Sequence, residues 1–395
     1  MGIWAGIDIA KEVHWATAVD DRGQVVLDRR VGNDPAQLAE LAEQLGGLDL
    51  EGELVVGLDV VGGIASLAEA VLSQAGVRLV HVPGLAVNRA RLATRGGQNK
   101  SDPRDARVIA EQVRTRNDLR PLRPQGELVV QLRLVAGRRR DLVGEQTRRL
   151  ARLHDLLVCV HPGLERVLEL TTKGGLWLLC RYVTPAEVRA AGPSRLQDHL
   201  AGAGLTRPQR QRLAAQALAA AAAQQLGLAG EQLAAGLVRE LAGEALACRA
   251  RLAELDADLA RLLARHPDAA LIQSLPGMGA ILTAEFLAYA GDLARFGSAD
   301  QLAAAAGLAP VLHQSGKLRF QRRPTGGSKD LKRVFYQSAF CSLRSPDSRA
   351  FYARKRREGQ RHHQALIALA RRRINVLWAM LHSRQPFQPG HAKAA

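Results

Sequence analysis

Two aspartates occur where an apolar strand is predicted to end. Asp8 lies inside the otherwise apolar run Ile3–Ile9. A charge there is costly unless it is exposed at the strand end, paired or metal-bound. Asp59 directly follows the short apolar stretch Leu54–Leu58 and precedes a Gly-Gly pair. Two aspartates at these positions suit carboxylate chemistry at one edge of a sheet.

A second pair of acids, Asp102 and Asp105, is three residues apart at the start of a predicted helix, so the two share a helix face. If this helix meets the strand ends that carry Asp8 and Asp59, four carboxylates crowd one place, and a divalent cation makes that crowding tolerable. Two such ions with oxygen ligands clamp the attacking and leaving oxygens of a phosphodiester. We therefore predict a Mg²⁺ site, with Mn²⁺ as the alternative ion.

Simpler explanations of the same acids stay open at this point. Asp102 followed by Pro103 is also a good helix N-cap with proline in the first turn. Asp59 could be a plain turn residue. Asp8 is the hardest of these acids to explain without a functional role.

Ser315 is a candidate nucleophile. It lies beside a glycine in His313–Arg319, a segment with cations on both sides that would hold a phosphate and lower the cost of an alkoxide. The alternative is an ordinary serine in a turn, which the local sequence alone favours.

The C-terminal part of the chain is strongly basic. From Ser315 to Arg384 there are 18 Lys and Arg against three acids, with Tyr336, Tyr352 and other aromatics interleaved. A charge run is usually a solvated surface, but an imbalance this large favours contacts with a phosphate backbone. His362-His363 are assigned to the same surface. The predicted nucleic-acid contacts are Lys100, Lys317, Arg319, Arg322, Arg323, Lys332, Arg333, Arg354, Lys355, Arg356 and Arg357.

The whole chain is basic as well, with a net charge of +17 and a pI near 10.7. Such a balance points to a polyanionic partner, most often nucleic acid. No apolar run approaches the roughly 18 residues that a membrane span needs, and the N-terminus does not resemble a signal peptide. Four scattered cysteines favour neither a disulfide framework nor a zinc site. We expect a reduced, cytoplasmic protein that has no membrane partner.

The elements that must position the acids follow a recognisable order. Three strands joined by tight turns are predicted over 3–31, followed by helix, strand, helix and strand up to residue 82 and a helix over 101–116. Three antiparallel strands and then alternating strands and helices are the order of a ribonuclease-H-like α/β domain. The competing doubly wound dinucleotide fold would need a glycine-rich turn after the first strand, which this sequence lacks.

The remaining chain is predicted to be mainly α-helical. Two long stretches, 128–157 and 207–265, are typical of an antiparallel helical arm or coiled coil. The segment Leu275–Ala284, with its Gly-Met-Gly, indicates a helix-hairpin-helix-like element. We predict a catalytic domain over 1–125, a helical arm over 126–265, a C-terminal domain over 266–384 and a disordered tail over 385–395.

Taken together, these motifs resemble the insertion-sequence one-ten family of transposases, over nearly the whole chain. The similar segments, in order, are Gly6–Lys11, the acid before Gly62, Lys100–Ala106, Leu275–Gly279, Gly307–Pro310 and Ser315-Gly316. The resemblance implies an N-terminal RuvC-like domain of DEDD type and a C-terminal transposase domain that bears a serine. Its four acids correspond to Asp8, Asp59, Asp102 and Asp105, and its serine to Ser315. The family commonly has Glu where this chain has Asp59, so the carboxylate here is one methylene shorter.

The same resemblance implies a bacterial recombinase, associated with the nucleoid, that cuts and rejoins donor and target DNA. It further implies a structured bridge RNA as guide, and a homodimer or homotetramer in which the acids of one subunit face the serine of another. Two other functions remain open from the sequence. One is a RuvC-like metal-dependent nuclease or junction resolvase with a structural Ser315, and the other is a non-enzymatic nucleic-acid-binding scaffold.

Overall fold

The computed structural model describes residues 2–48, 52–94, 96–119, 121–123, 126–316 and 318–389. The chain divides into two compact units, Met1–Gly126 and Glu127–Ala395, here called unit 1 and unit 2. The further boundary expected near residue 265 stays a prediction. Within the described ranges, no helix combines the length and the apolar character that crossing a membrane requires.

Unit 1 is built on a five-stranded mixed sheet with the strand order β3-β2-β1-β4-β5. Its strands are β1 (Ile3–Asp8), β2 (Val13–Val19), β3 (Val25–Gly32), β4 (Leu54–Leu58) and β5 (Arg78–His81). The pairs β1–β2 and β2–β3 are antiparallel, whereas β1–β4 and β4–β5 are parallel. This arrangement confirms the prediction of an α/β domain that starts with three antiparallel strands.

Tight turns and buried apolar residues explain this order. Asp20 closes the turn between β2 and β3, since its Oδ1 accepts hydrogen bonds from the backbone N–H groups of Arg22 and Gln24. The central strands β1 and β4 are buried along most of their length, with Ala5, Ile7 and Leu58 fully enclosed. Burial on both faces fits the near-continuous apolar runs seen in the sequence.

The helices of unit 1 pack against this sheet. They are α1 (Pro35–Leu48), α2 (Ser66–Gln74), α3 (Gly84–Leu92) and α4 (Asp102–Thr115). Helix α4 lies against β1 and β2, and α3 lies against α4. Helix α3 was not predicted, because its short apolar pattern is interrupted by Asn88, Arg89 and Arg91.

Unit 2 is mainly helical, as predicted. Its helices are α5 (Glu127–Val160), α6 (Pro162–Val167), α7 (Lys173–Leu179), α8 (Pro185–Ala201), α9 (Arg207–Ala222), α10 (Glu231–Leu263), α11 (Ala269–Gln273), α12 (Ala280–Ala290), α13 (Ala299–Ala305), α14 (Lys329–Cys341), α15 (Pro346–Arg357) and α16 (His362–Ser383). Gly192 is not helical (φ 65°), so α8 is kinked there. The stretch predicted to be helical over 207–265 consists of two helices separated by residues 223–230, where Gly230 adopts a left-handed conformation.

The two longest helices, α5 and α10, pack together in antiparallel orientation. Arg149 pairs with Glu244 near the end of α5, whereas Arg139 pairs with Asp256 nearer its start. The prediction of two antiparallel long helices is therefore right, but the second is α10 alone, because α9 packs on α8 and α6 instead. Whether the pair is a true coiled coil stays a prediction.

The C-terminal part of unit 2 shares one apolar core with the ends of these long helices. Leu132 from α5 and Leu263 from α10 are buried with Phe286 and Phe335, from α12 and α14. The tail over 385–395 was predicted to be disordered, but part of its described segment packs against this core. Phe387 is partly buried against this core, and its N–H donates a hydrogen bond to Ser274 Oγ over 2.9 Å. Residues 390–395 lie outside the described residues.

A two-stranded antiparallel hairpin follows α13. It consists of β6 (Val311–Ser315) and β7 (Leu318–Arg322), and every residue of both strands is exposed. The sequence predicted a loop here, because the polar residues from His313 to Arg319 show no buried face. The hairpin register pairs Ser315 with Leu318, which puts Ser315 at its tip.

Candidate active site and nucleic-acid surface

Asp8 and Asp59 end two neighbouring parallel strands of unit 1. Asp8 is the last residue of β1, and Asp59 follows the last residue of β4. The register pairs Ile7 with Leu58, so the two acids are the next residues in line at the same edge of the sheet. Asp59 is tied to β1 directly, since its Oδ1 accepts a hydrogen bond from the N–H of Ile9 over 3.2 Å.

Helix α4 carries the other two acids to β1. The approach is very close at Gly6, where a Cβ atom would lie 2.2 Å from the carbonyl oxygen of Ala106 and 2.4 Å from the amide nitrogen of Ala110. Glycine at this position therefore lets the helix backbone rest on the strand. The N-cap of α4 is Ser101, and Asp102 is already the first helical residue. The interpretation of Asp102 as the N-cap is therefore wrong. Both acids nevertheless lie in the first turn of α4, where negative charge interacts favourably with the helix dipole.

The electrostatics indicate that the four acids share one environment. Burial, together with the negative charges of Asp59, Asp102 and Asp105, raises the pKa of Asp8 to about 7, while Lys100 acts in the opposite direction. Burial also raises the pKa of Asp59, against the backbone N–H groups that hydrogen-bond to its carboxylate. Burial and nearby like charges both disfavour the ionised form of a carboxyl group, and a cation would offset them.

Asp105 has a buried cationic partner inside unit 1. Arg91 Nε lies 2.9 Å from Asp105 Oδ1, in an ion pair whose angles are not those of a hydrogen bond. Both side chains are almost fully buried. Arg91 is itself held by α3 and the following turn, because its guanidinium donates to the carbonyl of Gly97 and to Asn88 Oδ1.

The acid set suits a hard divalent cation, since every ligand atom would be a carboxylate oxygen. The pKa of Asp8 is raised by burial and by the neighbouring negative charges, which such an ion would offset. The side chains are nevertheless not arranged as a closed site. Among the residues that the structure describes, no group of three or more His, Cys, Asp or Glu side chains lies close enough together to hold a metal ion.

Ser315 lies in unit 2 at the tip of the exposed hairpin. Gly316, with a φ of 53°, starts the turn between the strands, and Lys317 lies outside the described residues. Arg319 and Arg322 are exposed on the facing strand, where Arg322 lies over the ring of Phe320 at 5.3 Å. The hydroxyl is therefore open to solvent, on a strand end rather than in a loop.

The other predicted nucleic-acid contacts fall on several elements. Lys100 is exposed just before α4, close enough to the acids to influence Asp8. In unit 2, Arg323 follows β7, and its charge contributes to lowering the pKa of the partly buried Lys332 on α14. Arg333 is also partly buried, and its Nη2 lies 2.9 Å from the buried Glu285 Oε1. Arg333 therefore has a packing partner within unit 2 besides any contact with nucleic acid.

Helix α15 carries the densest positive charge. Arg354, Lys355, Arg356 and Arg357 form its last turn, and every residue of the helix is at least partly exposed. Glu358 pairs with Lys355 over 2.6 Å and with Arg354 over 3.7 Å. One acid thus offsets part of this cluster and leaves a strongly positive surface.

The glycine turn before α12 serves packing inside unit 2. Gly277 has a φ of 83°, and a Cβ atom there would lie 2.5 Å from the carbonyl oxygen of Ser338. The buried Arg373 donates hydrogen bonds to Ser338 Oγ and to the carbonyl of Pro276, and burial lowers its pKa to about 10. Arg373, the last of three consecutive arginines, therefore fixes the core rather than a surface. The helix-hairpin-helix-like function of this turn stays a prediction.

Two features of the sites were missed from the sequence. Arg91 belongs to the unpredicted helix α3, and nothing in its local sequence marks it as the buried partner of Asp105. The second is a row of aromatic rings, in which Tyr336 hydrogen-bonds His363 and Tyr352 hydrogen-bonds His362. The adjacent histidines in a basic segment were the available signal for it.

Comparisons with known proteins agree with this architecture. The model of the DEDD-type transposases, described as "Transposase", matches residues 5–162. A second model, described as "Transposase IS116/IS110/IS902 family", matches residues 269–353. The first contains the acid set, and the second contains Ser315 and nine of the 18 Lys and Arg between Ser315 and Arg384.

Whole-length relatives give the same result. The chain is 41% identical to the insertion element IS900 uncharacterized 42 kDa protein of Mycobacterium paratuberculosis, over 100% of this chain and 99% of that protein. It is 41% identical to the insertion element IS116 uncharacterized 44.8 kDa protein of Streptomyces clavuligerus, over 98% of this chain and 96% of that protein. It is 30% identical to the mini-circle putative transposase for IS117 of Streptomyces coelicolor, over 99% and 97%. With its two matching segments and these relatives, the chain belongs to the IS116/IS110/IS902 family of DNA transposases.

Proposed function

We propose that this transposase cuts and rejoins donor and target DNA with the four acids of unit 1 and Ser315 of unit 2. The observation that carries the proposal is that Asp8 and Asp59 end neighbouring parallel strands, with Asp102 and Asp105 near enough for their charges to act on Asp8. A scaffold that only binds nucleic acid gains nothing from this arrangement, because crowded carboxylates repel a phosphate backbone and cost stability.

In this proposal the acids hold Mg²⁺, with Mn²⁺ as an alternative. A bound divalent ion would neutralise charge on the phosphodiester oxygens. Unit 1 holds the four carboxylates that would bind the ion. The carboxylates of Asp8 and Asp59 sit at fixed strand ends, and α4 is pressed against β1 at Gly6, which holds Asp102 and Asp105. Arg91 pairs with the Asp105 carboxylate and helps to hold it in position.

Ser315 is the proposed nucleophile. Its Oγ attacks the phosphorus and loses its proton, and a serine–phosphate ester forms as the bond from phosphorus to the leaving oxygen breaks. The leaving strand takes up a proton and ends in a hydroxyl. Attack by the hydroxyl of a second strand then reverses these steps and releases the serine. The exposed hairpin tip supports this role, since a DNA strand can approach it freely.

The cations around the serine would hold the phosphate. Arg319 and Arg322 project from the exposed strand that pairs with β6, and Arg323 follows them. Charge of this kind stabilises the negative oxygens of the reacting phosphate. Lys100 would act similarly near the acids, and α15 would bind the DNA or RNA backbone at a distance from the reaction.

The guide and the assembly belong to the same proposal. We infer a structured bridge RNA that pairs with donor and target DNA, bound by a homodimer or homotetramer of this chain. The net charge of +17 supports an extended polyanionic partner but does not distinguish RNA from DNA. RNA that co-purifies with the protein, sequenced and tested for pairing with the DNA flanking the gene, would identify it.

A strand-cleavage assay with matched variants tests the enzymatic proposal. Asp8→Asn and Asp102→Asn are expected to abolish cleavage and to leave DNA and RNA affinity largely unchanged. Ser315→Ala is expected to abolish cleavage as well. Full cleavage by Ser315→Ala would instead favour the metal-dependent nuclease, and full cleavage by Asp8→Asn would contradict the acid site.

A further inference from the structure

Four aromatic rings form a continuous row on one surface of unit 2. Tyr336 on α14 stacks on His363 at 6.1 Å between ring centroids, His363 meets His362 at 5.3 Å, and His362 meets Tyr352 on α15 at 5.8 Å. These residues come from α14, α15 and the first turn of α16. We call this set the ring row.

Hydrogen bonds hold the ring row in place. The hydroxyl of Tyr336 lies 2.7 Å from His363 Nδ1, and that of Tyr352 lies 2.8 Å from His362 Nδ1. Each tyrosine thus uses its polar end on a neighbouring ring. The rings are oriented by the protein itself, so a ligand that meets them would not have to order them.

The ring row is open to solvent. Both histidines are exposed and both tyrosines are partly exposed. Phe340, one turn beyond Tyr336 on α14, is 55% exposed as well. Aromatic residues make up only 4% of this chain, and two of its four tyrosines are in the row. Rings that pack no core, in a chain with few rings, indicate a surface that contacts something.

The charge around the row selects the kind of partner. From Lys329 to His363 the sequence holds ten Lys and Arg against three acids. Two of these acids already have partners, since Asp330 pairs with Arg140 and Glu358 pairs with Lys355. The remaining positive charge suits phosphates, while the ring faces suit nucleobases. Rings interleaved with cations are the pattern by which proteins bind single-stranded nucleic acid, where unpaired bases stack on aromatic side chains.

We propose that the ring row binds the unpaired bases of single-stranded DNA, with the phosphates lying along Arg356, Arg357 and Arg361. The choice of DNA rests on the proposed function, because strand cleavage and exchange leave unpaired DNA near the protein. Stacking uses the faces of the bases, so binding at the row is expected to tolerate many sequences. Duplex DNA hides its base faces and would not use the rings.

Photocrosslinking locates the contact directly. A single-stranded DNA oligonucleotide that carries 5-iododeoxyuridine is irradiated with the full-length protein in EDTA, and the crosslinked peptides are mapped by mass spectrometry. Crosslinks on Tyr336, Tyr352, His362 or His363 are expected, and a 20-fold excess of unlabelled duplex of the same sequence should leave most of them. Crosslinks found only on other segments would overturn the proposal.

Matched variants then test the stacking. Tyr336→Leu and Tyr352→Leu remove a ring without changing the charge, and Tyr336→Phe and Tyr352→Phe keep the ring but remove its hydrogen bond. Each Leu variant is expected to weaken single-stranded DNA binding about tenfold, and each Phe variant less than about threefold. Duplex binding and the thermal unfolding midpoint should stay as in the unaltered protein.

Two sets of binding results would contradict the ring row as a single-stranded DNA site. Unchanged single-stranded DNA affinity in the Leu variants, or an equal loss for duplex, would overturn the proposal. A loss seen with RNA of the same sequence but not with DNA would overturn it too and would identify RNA as the occupant. Because binding is measured without divalent metal, a failure of strand cleavage would not affect this result, and the proposed function can stand if the ring row does not bind DNA.

Discussion

Arg91 Nε lies 2.9 Å from Asp105 Oδ1, and the two side chains are only 9% and 8% exposed. This ion pair links α3 to the helix that carries two of the four acids. It supplies a buried positive charge to one carboxylate of a site that is otherwise negative. Asp8, by contrast, is surrounded by acids, whose charges add to its burial in raising its pKa.

Removal of Arg91 tests this pair. Arg91→Met leaves the Asp105 carboxylate buried without its cation, and breaking one side of a buried pair costs about 3–5 kcal/mol of unfolding free energy. We expect a large fall in the urea midpoint of Arg91→Met and a small change for Arg89→Met, an exposed arginine on the same helix. Equal stability of the two variants would show that the pair contributes little.

The pKa of Asp8 predicts how the stability of the metal-free protein depends on pH. The folded-state pKa, about 7, lies above the ordinary value of 3.8, so the folded protein keeps a proton that the unfolded chain loses between about pH 4 and pH 7. Stability contributed by Asp8 therefore falls as pH rises through this window. Asp8→Asn cannot ionise and escapes the loss.

In EDTA at pH 8 we expect Asp8→Asn to be more stable than the unaltered protein, by on the order of 1–2 kcal/mol once solvent screening of the half-buried group is allowed for. At pH 4 the difference should vanish. Glu12→Gln, an exposed acid in the same unit, serves as the control and should change neither value. Added Mg²⁺ should raise the unfolding midpoint of the unaltered protein at pH 8 but not that of Asp8→Asn. A gain in the stability of Asp8→Asn that is the same at pH 4 and pH 8 would contradict a raised pKa at Asp8.

Gly6 predicts a steric requirement at the contact between β1 and α4. A methyl group at Gly6 would strike backbone atoms of α4, at 2.2 Å and 2.4 Å, which cannot move without displacing the helix. At Gly57 it would meet only side-chain atoms, with Val113 Cγ2 at 2.5 Å and Ile109 Cγ2 at 2.9 Å, which can give way more readily than a helix backbone. We expect Gly6→Ala to lose about 2 kcal/mol or more of unfolding free energy, and Gly57→Ala to lose less.

DNA cleavage should likewise be impaired more by Gly6→Ala than by Gly57→Ala. Displacement of α4 in Gly6→Ala moves Asp102 and Asp105 away from Asp8, so cleavage should be lost even at temperatures where the variant stays folded. A Gly6→Ala protein that is as stable and as active as Gly57→Ala would mean that α4 does not need this close approach to β1.

The positive end of α15 predicts a salt-dependent contribution to binding. Because each phosphate contact releases counterions, Arg356→Gln with Arg357→Gln should lower the slope of log affinity against log salt by about 2. Their exposure means that the unfolding midpoint should not change. Arg78→Gln, which removes one exposed arginine paired with Glu53 in unit 1, shows the effect of losing a single positive charge outside α15. An unchanged slope would count against phosphate contacts at α15.

The α/β unit was predictable because its signals are local. Apolar runs bounded by tight turns located β1 to β5, and acids at the ends of two runs located Asp8 and Asp59. The hairpin that carries Ser315 was not predictable, since all of its residues are exposed and no alternating apolar face marks its strands. The stretch over 207–265 was predicted to be helical without a break, although Gly227 and Gly230 lie where α9 and α10 are separated.

The roles of several residues could not be predicted because they depend on contacts between distant parts of the chain. Arg91 and Asp105 are 14 positions apart and joined only by the folded structure, and Arg373 was indistinguishable from its surface neighbours until its hydrogen bonds to Pro276 and Ser338 were visible. The ring row depends on three helices meeting. In each case a polar or aromatic residue acquires its role from a contact across the fold, which periodicity along the chain does not encode.

The covalent step at Ser315 is the central claim, and trapping the protein–DNA adduct tests it most directly. The protein is incubated with its DNA and Mg²⁺, denatured, digested and analysed by mass spectrometry for a nucleotide attached to a peptide. The account predicts the nucleotide on Ser315, with no adduct in Ser315→Ala or Asp8→Asn. Strand exchange by Ser315→Ala, or an adduct on another residue, would contradict it.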